Sequence, residues 1–259
     1  LAAADRPNII VMMVDDMGWS DLGCYGSEIR TPNFDRLAGE GVRLTGFHNT
    51  SRCCPSRACI LTGLYPHQTG LGQFVGTVDA TSPGYQGAIT RPCVTFAEVL
   101  GAAGYATCMS GKWHVGDPGP QQRGFQHNDA IFMGGAGSYF LQNPDKSWNS
   151  TFYATDHYAD AVVRHIQAQA GKQPFVIYWA PTAPHWPLHA KAEDVAPYRG
   201  AYAAGPKAVA EARYRKQVEL GLVRQDAPWT PPGDLNLPIE IKGRSPVMLD
   251  TEVVTKPWP

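Results

Sequence analysis

Apolar positions along this chain fall into two patterns, unbroken short runs and stripes at helical spacing, and their alternation predicts an α/β protein. Residues 7–14 form a run, Pro-Asn-Ile-Ile-Val-Met-Met-Val, that ends in Asp15-Asp16. Such a run predicts a strand buried on both faces of a largely parallel sheet, with chemistry at its carboxyl end. Thr31-Pro32-Asn33-Phe34 offers a cap and a first-turn proline for a short helix that packs Phe34, Leu37 and Ala38 and stops at Gly39 or Gly41. Thr95 and Glu98 make a capping box for the next helix, whose stripe is Phe96, Val99, Leu100 and Ala103.

Residues 105–109 predict a second strand, and 157–169 a helix with Ala159, Val162, Val163 and Ile166 toward the core. A third buried strand is expected over 174–179. Strands alternating with amphipathic helices argue for a sandwich of helices around the sheet, with functional residues in loops beyond the strand ends. Residues 208–220 are helix-compatible and charged, with Glu211 and Arg215 spaced for an exposed i, i+4 pair. After Gln225, Pro228, Pro231, Pro232 and Gly233 break regular structure, and the tail to Pro259 is expected to be a linker or an incomplete element.

Composition narrows the class. A chain of 259 residues, 43% hydrophobic, can bury a substantial core, so one large domain is expected. A net charge of -1 provides no basic stripe for nucleic acid and no polybasic anchor for a membrane, and no apolar run reaches spanning length. The opening Leu1-Ala2-Ala3-Ala4-Asp5 looks like the small-residue end of a secretory signal, which points to a periplasmic or secreted protein; an arbitrary boundary is the open alternative. The six cysteines, at 24, 53, 54, 59, 93 and 108, show neither paired zinc spacing nor a dense disulfide framework.

Four segments carry candidate chemistry. Asp15-Asp16 puts two carboxylates at a strand end, suited to a hard cation, although a helix cap or solvated turn is the plain reading of an isolated pair. Cys53-Cys54-Pro55-Ser56-Arg57 precedes Leu61-Thr62-Gly63, and Pro55 suits a first helical position, which sets Cys53 at a helix N-terminus that favours anions. Gly111-Lys112-Trp113-His114-Val115-Gly116 follows the second strand. Ala180-Pro181-Thr182-Ala183-Pro184-His185-Trp186-Pro187-Leu188 follows the third.

Together these segments resemble, in order and spacing, the signatures of the formylglycine-dependent sulfatases, a bacterial arylsulfatase-like branch of the alkaline phosphatase superfamily. The resemblance covers residues 6–225 and implies an alkaline-phosphatase-like sandwich and hydrolysis of sulfate esters. It further implies that a maturation enzyme oxidises Cys53 to formylglycine, while Cys54, at a variable position, stays a thiol. Hydrated, such an aldehyde offers one hydroxyl to attack sulfur and a second whose deprotonation expels sulfate. By the same resemblance Asp15, Asp16 and position 53 hold Ca2+, with Mg2+ possible, and Arg57 supports the diol. Lys112 binds a sulfate oxygen, His114 is the base that releases sulfate, and His185 contacts sulfate and protonates the leaving alcohol. The partners implied are a sulfate-ester small molecule or sulfated glycan, and no nucleic acid or membrane. His189 reads as packing, and Asn49, Arg52 and His67 are left without a role.

The chain departs from the family in one respect. The family places an aspartate-asparagine pair and a second lysine downstream, whereas this sequence has no Asp-Asn dipeptide, and Asp234-Leu235-Asn236 lacks a preceding buried strand. A possible signal remnant over 1–4, an incomplete catalytic domain over 5–225 and a tail over 226–259 are therefore expected, with weakened metal binding and a possible complementary C-terminal chain. A phosphate or phosphonate monoesterase on the same fold, and a non-catalytic fragment that binds anions or a partner, are the alternative functions.

Overall fold

The computed structural model describes residues 6–130, 139–140, 145 and 151–229; the expected signal remnant, Asp234-Leu235-Asn236 and the tail from residue 230 lie outside the described residues. The chain divides into two compact units, one of Leu1–Met17 with Phe47–His189, the other of Gly18–Gly46 with Ala190–Pro259.

The first unit is built on a parallel sheet. Its strands are β1 (Ile9–Met12), β2 (Ala106–Gly111), β3 (His127–Asp129) and β4 (Phe175–Ala180), in the order β1-β4-β2-β3. Every pairing is parallel, with Ile9 opposite Val176, Ala106 opposite Phe175 and Cys108 opposite His127. Side chains alternate between faces along each strand. Met109, Tyr178 and Ala180 therefore join Leu61, Trp113, Val115 and Phe125 in one core. Ala106, Cys108, Phe175 and Ile177 join Val162 in the other. Helix α2 (Cys53–Thr62) and helix α3 (Phe96–Ala102) serve the first core, and helix α4 (Ala154–Gln169) the second. Helices on both faces of a parallel sheet make the expected α/β sandwich.

The run ending at Asp15-Asp16 does form a strand, but not one buried on both faces. Among the described residues β1 pairs only with β4, and Ile10 is 48% exposed. The doubly flanked strands are β4 and β2, whose residues are almost all buried. In α3 the capping box is present, with Thr95 Oγ1 accepting from Glu98 N at 3.2 Å and Thr95 N donating to Glu98 Oε2 at 2.7 Å. Its expected stripe is met in part: Phe96 packs against the core and its neighbour Ala97 is buried, while Val99 is exposed. In α4 the core face is Ala154, Tyr158, Ala161, Val162 and His165, and Val163 turns outward.

The second unit contains helix α1 (Pro32–Glu40), the short α5 (Ala192–Val195) and α6 (Gly205–Glu219). Helix α1 buries none of its residues, so the expected packing of Leu37 is absent; Leu37 is exposed. Thr31 does not cap it either: its hydroxyl donates to Asp35 Oδ1 at 2.9 Å and accepts from Gly23 N at 2.8 Å. Polar bonds rather than an apolar stripe hold this helix start. On α6, Arg215 and Glu211 make the expected exposed pair at 3.7 Å. Arg213 is tied to Glu28 at 2.6 Å and Asp21 at 2.7 Å. No helix among the described residues is long and apolar enough to cross a membrane.

Candidate active site

Because β1, β2 and β4 are parallel, the segments that follow them leave the sheet on one side. Beyond β1 the chain stays tethered to the β4 side, with Met13 N donating to Trp179 O at 2.8 Å and Asp15 N to Ala183 O at 3.3 Å. Asp16 then adopts a left-handed backbone, φ 60°, unusual for a residue with a side chain.

Beyond β2, Gly111 takes φ +112°, and a Cβ at that position would lie 2.0 Å from Ala180 O. Only glycine allows this approach. It lets Lys112 N donate to Ala180 O at 2.7 Å and turns the lysine side chain inward. Lys112 is fully buried, and its Nζ meets Asp15 Oδ2 at 2.6 Å.

The other oxygen of Asp15 makes an ion pair with Arg57 Nη2 at 3.0 Å. Arg57, one turn into α2, is fully buried as well; its Nη1 donates to Lys112 O at 3.0 Å and to Tyr178 Oη at 3.2 Å. Burial pulls the Asp15 carboxyl upward, yet the opposing charges of Arg57 and Lys112 outweigh it and hold the acid below its ordinary value. Two cations surround one carboxylate.

Cys53 begins α2, whose last turn ends at Gly63 in a left-handed cap. The Sγ atoms of Cys53 and Cys54 are 4.0 Å apart, and both lie with a ring nitrogen of His114 inside a 4.8 Å cluster. The Cys53 thiol is held well below its usual value, first by the hydrogen bond from Cys54, then by His114 and Lys112, against the effect of burial. The Cys54 thiol is pushed up by that same neighbour and by burial. His114 has φ 53°, a second side-chain-bearing residue in the left-handed region, and its Nδ1 is buried without a hydrogen-bond partner among the described residues.

His185 follows β4 on a loop containing cis bonds at Ala183–Pro184 and Trp186–Pro187. Its Nε2 lies 3.5 Å from Asp16 Oδ2, and both side chains are partly open to solvent. The seven residues singled out in the sequence thus assemble as the linked groups Asp15–Arg57–Lys112, Cys53–His114 and Asp16–His185.

Two contributors carried no signal in the sequence. Tyr178, in the middle of β4, is fully buried and accepts the Arg57 hydrogen bond. Tyr139 donates to the carbonyls of Thr182 and His185, fastening the histidine loop; burial and the charge of Asp15 push its phenol up. Each lies outside the motifs, and a single buried tyrosine looks like ordinary core until its hydroxyl's partner is visible. His189 packs beside Tyr139 and Phe140, as expected. Arg52 lies over Phe74, Asn49 bonds Ser51 N, and His67 bonds Tyr85, so none of the three joins the cluster. A cavity of about 660 Å³ in the second unit, bordered by Glu28, Tyr202, Arg213 and Trp229, contains none of the seven residues.

As metal donors, Asp15 keeps lone pairs beyond its bonds to Arg57 and Lys112, and Asp16 offers a largely exposed carboxylate beside it. Two adjacent carboxylates suit part of the oxygen shell of a hard cation, which for Ca2+ needs roughly six to eight oxygens.

The family model described as Sulfatase matches residues 7–227. An uncharacterized sulfatase of Schizosaccharomyces pombe is 38% identical over 256 residues, covering 87% of this chain and 46% of that protein. An arylsulfatase of Klebsiella aerogenes is 35% identical over 248 residues, covering 88% and 53%. Among solved structures, Ps i-CgsB aligns with a TM-score of 0.61 at 32% identity, over 83% of this chain and 55% of its own. BT4656, in complex with its substrate D-glucosamine-2-N,6-O-disulfate, aligns with a TM-score of 0.60 at 32% identity, over 76% and 38%. The chain spans about half the length of the curated relatives it matches. Its fold is that of these sulfatases, and the chain belongs to the sulfatase family.

Proposed function

We propose that this chain carries the nucleophile-bearing part of a sulfuric ester hydrolase that acts on an aryl sulfate or a sulfated sugar. The observation that carries the reading is the buried triad of Asp15, Arg57 and Lys112 beside Cys53 at the start of α2. Two cations outnumber the one carboxylate, and the positive end of a helix dipole adds to them, so the place favours an anion. Lys112 supplies a point charge to a sulfate oxygen, and Arg57 fixes both Asp15 and the loop carbonyl of Lys112.

His114 would take a proton from the side chain at position 53, a role supported by the closeness of its ring to Cys53 Sγ. His185, at the open side of the site, is placed to give one to the departing alcohol oxygen. Conversion of Cys53 to formylglycine by a maturation enzyme would supply the nucleophilic hydroxyl, and Ca2+ or Mg2+ held by Asp15, Asp16 and position 53 would neutralise developing charge. Fixed charges in a largely buried site lower the barrier more than the same charges in water.

The names of the relatives support both substrate classes, with an arylsulfatase on one side and a disulfated glucosamine complex on the other. The test is twofold, on protein made together with a maturation enzyme and including the full natural chain. Peptide mass analysis should find the aldehyde at position 53, and sulfate esters should be hydrolysed faster than matched phosphate esters. A retained thiol, or a preference for phosphate, would overturn the reading.

A further inference from the structure

Cysteine at position 54 gives this site a property that one cysteine could not. Cys53 Sγ, Cys54 Sγ and a ring nitrogen of His114 all lie within 4.8 Å of one another. The sulfurs are 4.0 Å apart. A tetrahedral zinc ion, with Zn–S near 2.3 Å and Zn–N near 2.0 Å, separates two sulfur ligands by about 3.8 Å and a sulfur from a nitrogen by about 3.6 Å, so the sulfurs need shift by only a few tenths of an ångström and the imidazole by up to about 1 Å. Cys54 is fully buried at the back, whereas Cys53 and His114 are half-buried, which leaves an approach from the front. In the His114 ring, Nδ1 is buried with no hydrogen-bond partner among the described residues, an arrangement that costs free energy. His114, which brings its ring to the two sulfurs, has its backbone in the left-handed region at φ 53°, a conformation that carries local strain.

We propose that the chain with an unconverted cysteine at position 53 binds one thiophilic divalent ion, Zn2+ or a close analogue, through Cys53 Sγ, Cys54 Sγ and a ring nitrogen of His114. Water fills the fourth place. Each thiol releases its proton to solvent as the metal–sulfur bond forms, so no oxidant or reductant is involved. Borderline-soft Zn2+ prefers two sulfurs and an imidazole, whereas the hard cation suited to Asp15 and Asp16 prefers oxygens, so the two ions call for different atoms of one pocket. A metal on Cys53 blocks the sulfur that conversion must oxidise, and conversion removes one of the two thiolates. Binding of this ion and maturation are therefore mutually exclusive, a corollary that rests on the proposed function; the metal site itself does not.

Cobalt titration of the purified chain, with the thiol at position 53 verified by peptide mass, tests the site without any activity assay. One equivalent of Co2+ should bind with the near-ultraviolet charge-transfer absorption of cobalt–thiolate bonds and be displaced by Zn2+. Cys53→Ser, at a half-buried position that tolerates the change, should abolish that absorption and weaken binding more than about 100-fold, and Cys54→Ser should do likewise if it folds. Cys24→Ser should leave both unchanged. Absence of the charge-transfer band, or its survival in Cys53→Ser, would overturn the site. Finding only a thiol in material made with the maturation enzyme and with thiophilic metals chelated would sink the sulfatase reading instead, and cobalt titration of that same sample, freed of chelator, would still decide this one.

Discussion

Lys112 Nζ and Asp15 Oδ2 meet at 2.6 Å with neither side chain open to solvent, joining the loop after β2 to the tip of β1. Removing one partner of such a pair leaves the other charge buried and uncompensated. Asp15→Ala strands two cations at once, and is expected to cost about 3–5 kcal/mol of stability, read from urea unfolding midpoints. Asp16→Ala, at a largely exposed side chain, should cost less than about 1 kcal/mol in the same measurement.

Gly111 is expected to be intolerant of any side chain. A Cβ there would lie 2.0 Å from Ala180 O, so Gly111→Ala must displace either Lys112 or the end of β4. Gly171 provides the comparison, since it also has positive φ, +74°, but nothing within 4 Å. Gly171→Ala should cost about 1–2 kcal/mol of backbone strain alone. Thermal unfolding of the two variants should show the larger loss for Gly111→Ala, and equal losses would refute the packing argument.

The two histidines should separate by leaving group. On the mature enzyme, His185→Ala should slow esters of poorly acidic alcohols by about 10²–10⁴-fold and nitrophenyl sulfate much less, because a good leaving group needs no proton. His114→Ala should slow both equally, since its proposed proton is the one on position 53. Turnover numbers on a pair of such substrates check the distinction.

Tyr139→Phe keeps the ring in the core and deletes the bonds to the Thr182 and His185 carbonyls. It should lower kcat by about tenfold for poor leaving groups while leaving KM and the fold nearly unchanged, as a change in how His185 is held would. A variant with unaltered kcat would show that the prolines alone position the loop.

In the second unit, Arg213 holds Glu28 at 2.6 Å and draws its carboxyl from 4.5 to about 2, against a smaller effect of burial. A carboxylate with a depressed folded-state value stabilises the fold above the unfolded value and loses that contribution as pH falls through the folded one. The stability of the chain should therefore decline between about pH 4.5 and about pH 2, and Glu28→Gln should flatten that decline. Unfolding midpoints across this range provide the measurement.

Much of the site was legible because its residues sit in contiguous motifs at strand ends. Asp15-Asp16, Lys112-Trp113-His114 and His185 each follow an apolar run, and parallel strands bring such ends together whatever the loops between them do. What the runs could not reveal was their order across the sheet. The stretches at 9–12 and 175–180 look alike in composition, yet among the described strands one lies at the margin and the other in the middle. Helix faces were legible in part: Phe96, Val162 and Ile166 meet the core as expected, whereas Val99 and Val163 turn outward, because periodicity defines a stripe but not its exact rotation. The tyrosine hydroxyls remained hidden since their partners are backbone carbonyls and an arginine that lie far away in sequence.

The marginal place of β1 bears on how the molecule would fail. Among the described residues its four are zipped along a single neighbour, the kind of margin that frays before a sheet's central strands, and this short ribbon leads into both acids of the site. A brief local opening, far cheaper than melting the central strands, would be enough to disarm the proposed chemistry, so heat or denaturant should abolish the proposed activity well before the circular dichroism changes.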